Sequence, residues 1–563
     1  MSVRKWIGLA ALVCLATGEM SLAQNAPSAA TKASRAPASK APAFVPPPAV
    51  LYTRDNAPKT PTVEDLPLKD SVTQYGITWT FEQPARVGQF VNGDFYVVGE
   101  VTIRMIDPKP LWGEEVKDRL NKGQVHDDQY AGKEARHGSS LNPVPRRPGA
   151  RGYNSVGFDS RTPEGRYDPE QFAHLPIKMV PGDSLVSTIS RESNQITAWD
   201  GQHVDPLRAA AVLTCLAEPQ PADAFRPSYC DSKNSKIFLS RNLRRDLLTK
   251  LPRVAGMPET LDVYARKFQR PWIDLADFGF AAPKENLPHY GQQMAEQVGE
   301  GSLLLLMDYT PEQKETTLVH FVQIGIDLHG VARAGFVWVA HGGLYSGRKW
   351  PIVLGGILLD DPDMQSPQKK LPKLIFHEDQ QTAFGPVTYR GKTFEKAWGG
   401  SKVIFLGHSP YLIKDTEKAE TRHWDDGWGL IEVYPPSEWP SKNREKGSLP
   451  ASEGYRRSNT SGAWIPEALA ARILHAEKIW DHDAFFAYVD RWMTEDDAAQ
   501  IKALKEAGLG DMTAKALGEW PRQGYYSNSR WVKWVVPAWQ KYRNNLPPAP
   551  DGHKDPKAEE TWK

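Results

Sequence analysis

Tyr75 to Ile106, YGITWTFEQPARVGQFVNGDFYVVGEVTIRMI, decides how the first half of this chain is built. Apolar and polar side chains alternate through Ile77-Thr78-Trp79-Thr80-Phe81, and β-branched residues recur from Phe95 to Ile106. Neighbouring side chains on a strand point to opposite faces, so a period of two predicts strands with one buried face. Pro84 and the turn signal Asn92-Gly93-Asp94 divide the stretch into several strands.

The same signal returns in DSLVSTISR (183–191) and AAAVLTCLA (209–217), which extends a β-rich region over 67–240. Before these, HGSSLNPVPRRPGARGYNSVGFDSR (137–161) is a Gly/Pro-rich loop, and loops of that length are more often functional or mobile than neutral. Upstream, Arg4 and Lys5, the apolar run Trp6 to Ala16 and the small residues ending at Ala23 have the pattern of a secretory signal peptide, 1–23. Residues 24–66, rich in Ala, Pro, Ser and Lys, are expected to be a disordered linker because they carry too little apolar surface to fold. The expected product is exported, periplasmic or extracellular, and not membrane-spanning, because no later apolar run reaches transmembrane length. In an oxidising compartment, Cys215 and Cys230 are either a disulfide or two buried thiols.

Beyond 240 the period lengthens to that of helices: Arg241 to Leu251, Leu287 to Gln297, Thr310 to Gly335, Gly462 to Trp480, His482 to Met493 and Thr494 to Gly508. Thr310-Pro311 followed by Gln313 is a capping-box start. Many helices with long, aromatic and charged connections predict a mostly α chain: an (α/α) toroid over 241–545 behind the β-rich region, with a flexible tail at 546–563. The 563 residues are 40% hydrophobic, enough for a sizeable core, and a formal charge of +1 with interspersed signs gives no basic face for nucleic acid. Nineteen Trp, 19 Tyr and 19 Phe suit sugar stacking as well as a large core.

Five loop clusters carry candidate chemistry. HGGLYSGRKWP (341–351) sets His341, Tyr345, Arg348 and Lys349 in a glycine-rich break between apolar elements. HEDQQT offers Glu378 and Asp379, GHSPYLI offers His408 and Tyr411, and RHWDDGWG offers Asp425 and Asp426 among aromatics. In EGYRRSNTSGAW, Tyr455, Arg456 and Arg457 precede a helix expected to start at Ser461, where a helix N-terminus and two cations would make an anion site. Each has a plain alternative: a capped loop, a structural histidine, a solvated charge pair. No second ligand set at metal spacing accompanies Asp425 and Asp426; no cofactor is expected, with a structural or charge-neutralising cation left open though unsupported.

Arg, Lys, His and Tyr in such loops are the types needed to eliminate across C5 and C4 of a uronate. The carboxylate must be neutralised, a base must take the C5 proton and an acid must protonate the leaving O4. Tyr455 beside two arginines meets that requirement.

ITWTFEQPARVGQFVNGDFYVVG, HGGLYSGRKWPIVLGGILL, EDQQT and EGYRRSNTSGAWIPEALAARIL resemble the polysaccharide lyases with a helical toroid, most nearly family 38, the alginate and glucuronan lyases. The resemblance spans most of 70–545 and implies β-elimination on an acidic polysaccharide. It places the catalytic histidine at His341 first and His408 second, and the tyrosine at Tyr455 first and Tyr345 second. The substrate contacts it implies are Arg348 or Arg456, with Lys349 and Arg457 beside them. Two rival classes stay open: a glycoside hydrolase using a carboxylate pair from Glu378, Asp379, Asp425 and Asp426, and a non-catalytic glycan-binding envelope protein.

Overall fold

The structure is a computed structural model that describes residues 47–117, 131–145, 156–162, 167–193, 206–275, 283–288, 291–410, 423–495, 498–509 and 533–549. The expected signal peptide, the linker as far as residue 46, Tyr411 and the tail beyond 549 lie outside these residues.

The alternation read from Tyr75 onward becomes the centre of a sheet. Its strands are β1 (Leu68–Gln74), β2 (Ile77–Gln89), β3 (Phe95–Val98) and β4 (Val101–Asp107). A short pair follows, β5 (Leu111–Trp112) with β6 (Ala135–Arg136), and then β7 (Ser139–Leu141), β8 (Ile177–Met179), β9 (Ser184–Ser190) and β10 (Leu207–Leu216). Eight strands pair in the order β7-β9-β10-β3-β2-β4-β8, with β1 also on β2. All neighbours are antiparallel except β10 with β3. Pro84 does not end β2 as the sequence suggests. β4 pairs with β2 up to Phe81 and β3 pairs from Arg86 onward, so the missing N–H of Pro84 falls between the two ladders.

β10 is buried on both faces. Ala209, Ala211, Leu213 and Cys215 join Trp79, Phe81 and Ile103 in one core, while Ala210 and Val212 join the helices on the other side. That placement decides the cysteines. Cys215 belongs to the first core and Cys230 to the second, so no disulfide forms and both are buried thiols. Arg226 ties the sheet to the helical half, donating from Nε to Asp94 at 2.6 Å and from a terminal nitrogen to Asp327 at 2.6 Å.

The helical half contains α1 (Asp262–Phe268), α2 (Gly291–Leu305), α3 (Pro311–Arg333), α4 (Lys349–Leu359), the short α5 (Pro362–Gln365) and α6 (Pro367–Lys370), and α7 (His377–Gln381). The capping box at Thr310 forms as read, with Gln313 N–H donating to Thr310 Oγ1 and Thr310 N–H to Gln313 Oε1. The toroid does not. The chain is of mixed class, with 37% helix and 18% strand, and the described residues form no toroid. After the 23 residues of α3 and the 15 of α2, helices shorten, and the links hold two small antiparallel pairs: β11 (Thr382–Phe384) with β14 (Val403–Phe405), and β12 (Val387–Tyr389) with β13 (Lys392–Phe394). Residues 241–251, expected to be helical, turn instead through two short 3₁₀ segments, because Arg241 and Arg245 are drawn aside to Asp223 and Glu315.

The end of the expected linker lies against this body. Ala49 N–H donates to Thr316 Oγ1 at 2.9 Å and Pro58 C=O accepts from Arg241 at 3.0 Å, so a chain too polar to form a core still docks through its backbone. Among the described residues no helix is long and apolar enough to cross a membrane.

Candidate active site

The loop bearing His341 exists because α3 stops at Gly335, whose φ of +96° suits a residue without a side chain beyond Cα. The chain then runs extended past Trp338, whose N–H donates to Ile375 C=O, and turns tightly at 341–347 before α4 begins. The turn presses on the start of α2: a Cβ on Gly291 would stand 1.8 Å from Leu344 C=O, so no larger residue fits. Trp464 Nε1 donates to Ser346 Oγ at 2.6 Å from the other side.

A second loop follows β14 and meets the first. Gly342 N–H donates to His408 C=O at 2.9 Å, and the amide of Gln381 donates to Gly342 C=O (3.2 Å), Gly407 C=O (3.1 Å) and His408 C=O (3.2 Å). Gly407 adopts φ +109° where the chain passes Gly429, and a Cβ there would lie 2.6 Å from Gly429 C=O. Ser452, on the helical turn 451–455, accepts from His408 N–H at 2.8 Å and so brings the third cluster to the same place.

Three sequence candidates meet there in a line. The rings of His341 and His408 are edge to face with centroids 4.8 Å apart, and those of His408 and Tyr455 are perpendicular at 4.2 Å. Trp428, from the RHWDDGWG cluster, lies 5.1 Å from His408 and 6.4 Å from His341. His341, Tyr455 and Trp428 are partly exposed, whereas His408 is buried between them. His408 Nδ1 is 2.5 Å from Ser409 Oγ, which leaves Nε2 for other partners. Burial, reinforced by the neighbouring imidazoles of His341, His423 and His377, holds its pKa well below the usual histidine range, so it is neutral at physiological pH. His423 falls to about 4 and His377 to about 3, both chiefly through burial.

Behind Tyr455 the backbone does not start a fresh helix at Ser461. A continuous right-handed run passes from 451–455 through a π-helical turn at Arg456–Thr460 and a 3₁₀ turn at Ser461–Trp464 into the helix Ile465–Ile473. No free N-terminus is left for an anion, which corrects the sequence reading. The wide turn is itself informative, because π turns cluster at functional sites.

The basic candidates are corrected too. Arg348 is fully buried, donating to both oxygens of Asp274 (2.8 and 3.3 Å) and to Ser346 C=O (2.8 Å). Lys349 is buried against Asp379 at 2.6 Å. Arg456 donates twice to Glu453 at 2.8 Å, and Arg457 donates to the same carboxylate at 2.8 Å. Each cation turns inward because a buried carboxylate waits there, and a guanidinium already paired in the interior has no reason to face a substrate. Tyr345 is also interior, edge to face with Phe336 at 5.9 Å.

Among the hydrolase carboxylates, Glu378 is fully buried, its Oε1 accepting from Gly347 N–H at 2.5 Å while Oε2 has no partner, and burial pushes its pKa up to about 7. Asp379 takes Lys349 and the Trp480 indole, while Asp425 and Asp426 are exposed. Glu467 is buried with both carboxylate oxygens unpartnered, and burial followed by the charges of Glu378 and Asp379 drives its pKa far up, so it is protonated. Among the described residues no group of three or more His, Cys, Asp or Glu side chains is placed to hold a metal.

Sequence reasoning missed Trp428, Ser409, Ser452 and Gln381 as parts of one locus. Only Trp428 carried a local signal, an aromatic in a glycine-flanked acidic turn. No protein-family model matches the chain, and no curated protein and no solved structure matches it either.

Proposed function

We propose that the protein is a polysaccharide lyase that cleaves a polyuronate by β-elimination at the line His341–His408–Tyr455. The observation that carries this reading is the line itself: two imidazoles and a phenol in ring contact, partly open to solvent, beside an indole face. Elimination needs a base near C5 and an acid near O4, and a phenol and an imidazole serve both without a carboxylate. Tyr455 takes one end and His341 the other. His408 between them stays neutral because it is buried, which keeps a cation out of the space between the acid and the base. Trp428 supplies the stacking face for a pyranose ring. With the four basic candidates paired inside, the uronate carboxylate meets the side-chain amide of Asn459 on the π turn instead, a partly exposed residue, while the Ser458 hydroxyl is held by Gly454 C=O.

The hydrolase reading asks for two carboxyls across the scissile bond. Glu378 and Asp379 are committed to Gly347, Lys349 and Trp480, which weighs against it.

The test is incubation of the purified protein with alginate, glucuronan and pectin, followed by ultraviolet absorbance of the unsaturated uronate. Growth of that absorbance on at least one polymer is expected. Reducing ends without a chromophore select hydrolysis, and glycan binding without product selects a binding protein; either result ends the lyase reading.

A further inference from the structure

The five-residue helix α7 touches the His341 loop at three places and the His408 loop at two. Glu378 Oε1 accepts from Gly347 N–H at 2.5 Å, and Gln380 Oε1 accepts from Ala340 N–H at 2.7 Å. Gln381 Nε2 faces the carbonyls of Gly342, Gly407 and His408 at 3.1 to 3.2 Å. His341 is therefore bracketed, its preceding N–H held by Gln380 and its following C=O by Gln381. The donor that holds Gly342 also holds His408.

The physical problem solved here is the convergence of three backbone carbonyls in a buried place. Their oxygens repel one another; His408 C=O is also met by Gly342 N–H, but Gly342 C=O and Gly407 C=O depend on Gln381 for a donor and would otherwise lose the free energy of an unmade hydrogen bond. The two N–H groups of one primary amide, shared among three acceptors, are what the site provides. The opposite amide orientation would set Oε1 against the same three oxygens, so the orientation is fixed. Without the donor only the Gly342 N–H bond to His408 C=O would be left against the repulsion of the three oxygens, at the point where His341 and His408 stand 4.8 Å from each other.

We infer that Gln381, assisted by Gln380, is the positioning residue of this site: it locks the loop of His341 to the loop of His408 and so sets the spacing of the two imidazoles. Its consequence for turnover rests on the lyase reading, but the spacing itself does not. A misplacement of about 1 Å between reacting groups costs about a hundredfold in rate.

The variant is Gln381→Met, which keeps the volume and removes the donor. Two measurements are made on the full-length protein. Carbethoxylation by diethyl pyrocarbonate, mapped by mass spectrometry, is expected to rise several-fold at His408 and to change at His341. His320, a buried histidine in the middle of α3, is expected to stay protected. On the polyuronate that the wild type degrades, kcat is expected to fall about a hundredfold with KM within about threefold. Gln380→Leu, at a partly exposed position, is expected to shift His341 reactivity alone and serves if Gln381→Met does not fold. Unchanged reactivity at both site histidines, or a rise in step with His320, overturns the clamp. If the wild type degrades no polyuronate, the lyase reading fails while the modification pattern still decides the clamp.

Discussion

The sheet and the site solve opposite problems with similar material. In the sheet, β10 sends alternate small apolar side chains into two cores, and the large Trp79 on β2 has its one polar atom bonded to Ser187 Oγ at 2.9 Å. Around the site, the interior holds Glu378 with one bare oxygen and Glu467 with two. The sheet leaves the Ser184 and Thr214 hydroxyls bare, which are small neutral groups, whereas the region around the site leaves carboxyl oxygens bare, and burying an ionisable group costs more. Function is therefore to be sought where carboxyls are buried without partners, and that part of the fold assembles His341, His408 and Tyr455.

Four substitutions probe the contrast. The largest effect is expected of Tyr455→Phe, which removes one hydroxyl from the line: turnover on the degraded polyuronate should fall about 10²- to 10⁴-fold with the melting temperature nearly unchanged. Trp79→Ala should do the reverse, costing about 3–5 kcal/mol in denaturant unfolding while kcat of the folded fraction stays at the wild-type value. Arg348→Met separates structure from binding. It strands Asp274 as an unpaired buried charge, so a loss of about 3–5 kcal/mol is expected with KM unaltered, whereas a large rise in KM in a stable variant would restore Arg348 as a substrate contact.

The smallest effect concerns pH. Folding raises the Glu378 carboxyl from 4.5 to about 7, so the native state holds its proton more tightly than the unfolded chain. Its contribution is therefore whole below about pH 4.5, declines as pH climbs to about 7 and is flat beyond, a span of at most about 3 kcal/mol. A carboxamide cannot ionise, so Glu378→Gln should gain on the wild type across that window in a pH series of chemical denaturations; parallel curves would show that Glu378 does not titrate there.

Much of this was open to inspection in the residues. The alternation at Ile77–Phe81, the Asn92-Gly93-Asp94 turn and the Thr310 capping box all depend on neighbours a few positions away, and they stand where the sequence places them. His341, His408 and Tyr455 were also legible as candidates, because glycine-flanked ionisable residues in loops are conspicuous. Arg456 and Arg457 turn inward to Glu453, three and four positions before them in the same motif, but the partners of Arg348 and Lys349 are remote. A cation looks the same in a sequence whether its carboxylate partner is inside or absent, and Asp274 stands 74 positions from Arg348.

The strands, the long helix and the residue types from which a site is made were settled along the chain, since they follow from local periodicity, capping and side-chain chemistry. Packing in three dimensions settled the rest: that the described helices form no toroid, that Cys215 and Cys230 lie on opposite sides of a sheet, and that three distant loops meet at one histidine. The physical reason is that those outcomes rest on pairings across tens to hundreds of residues. Burial and charge select one partner among many there, and no local pattern records the choice.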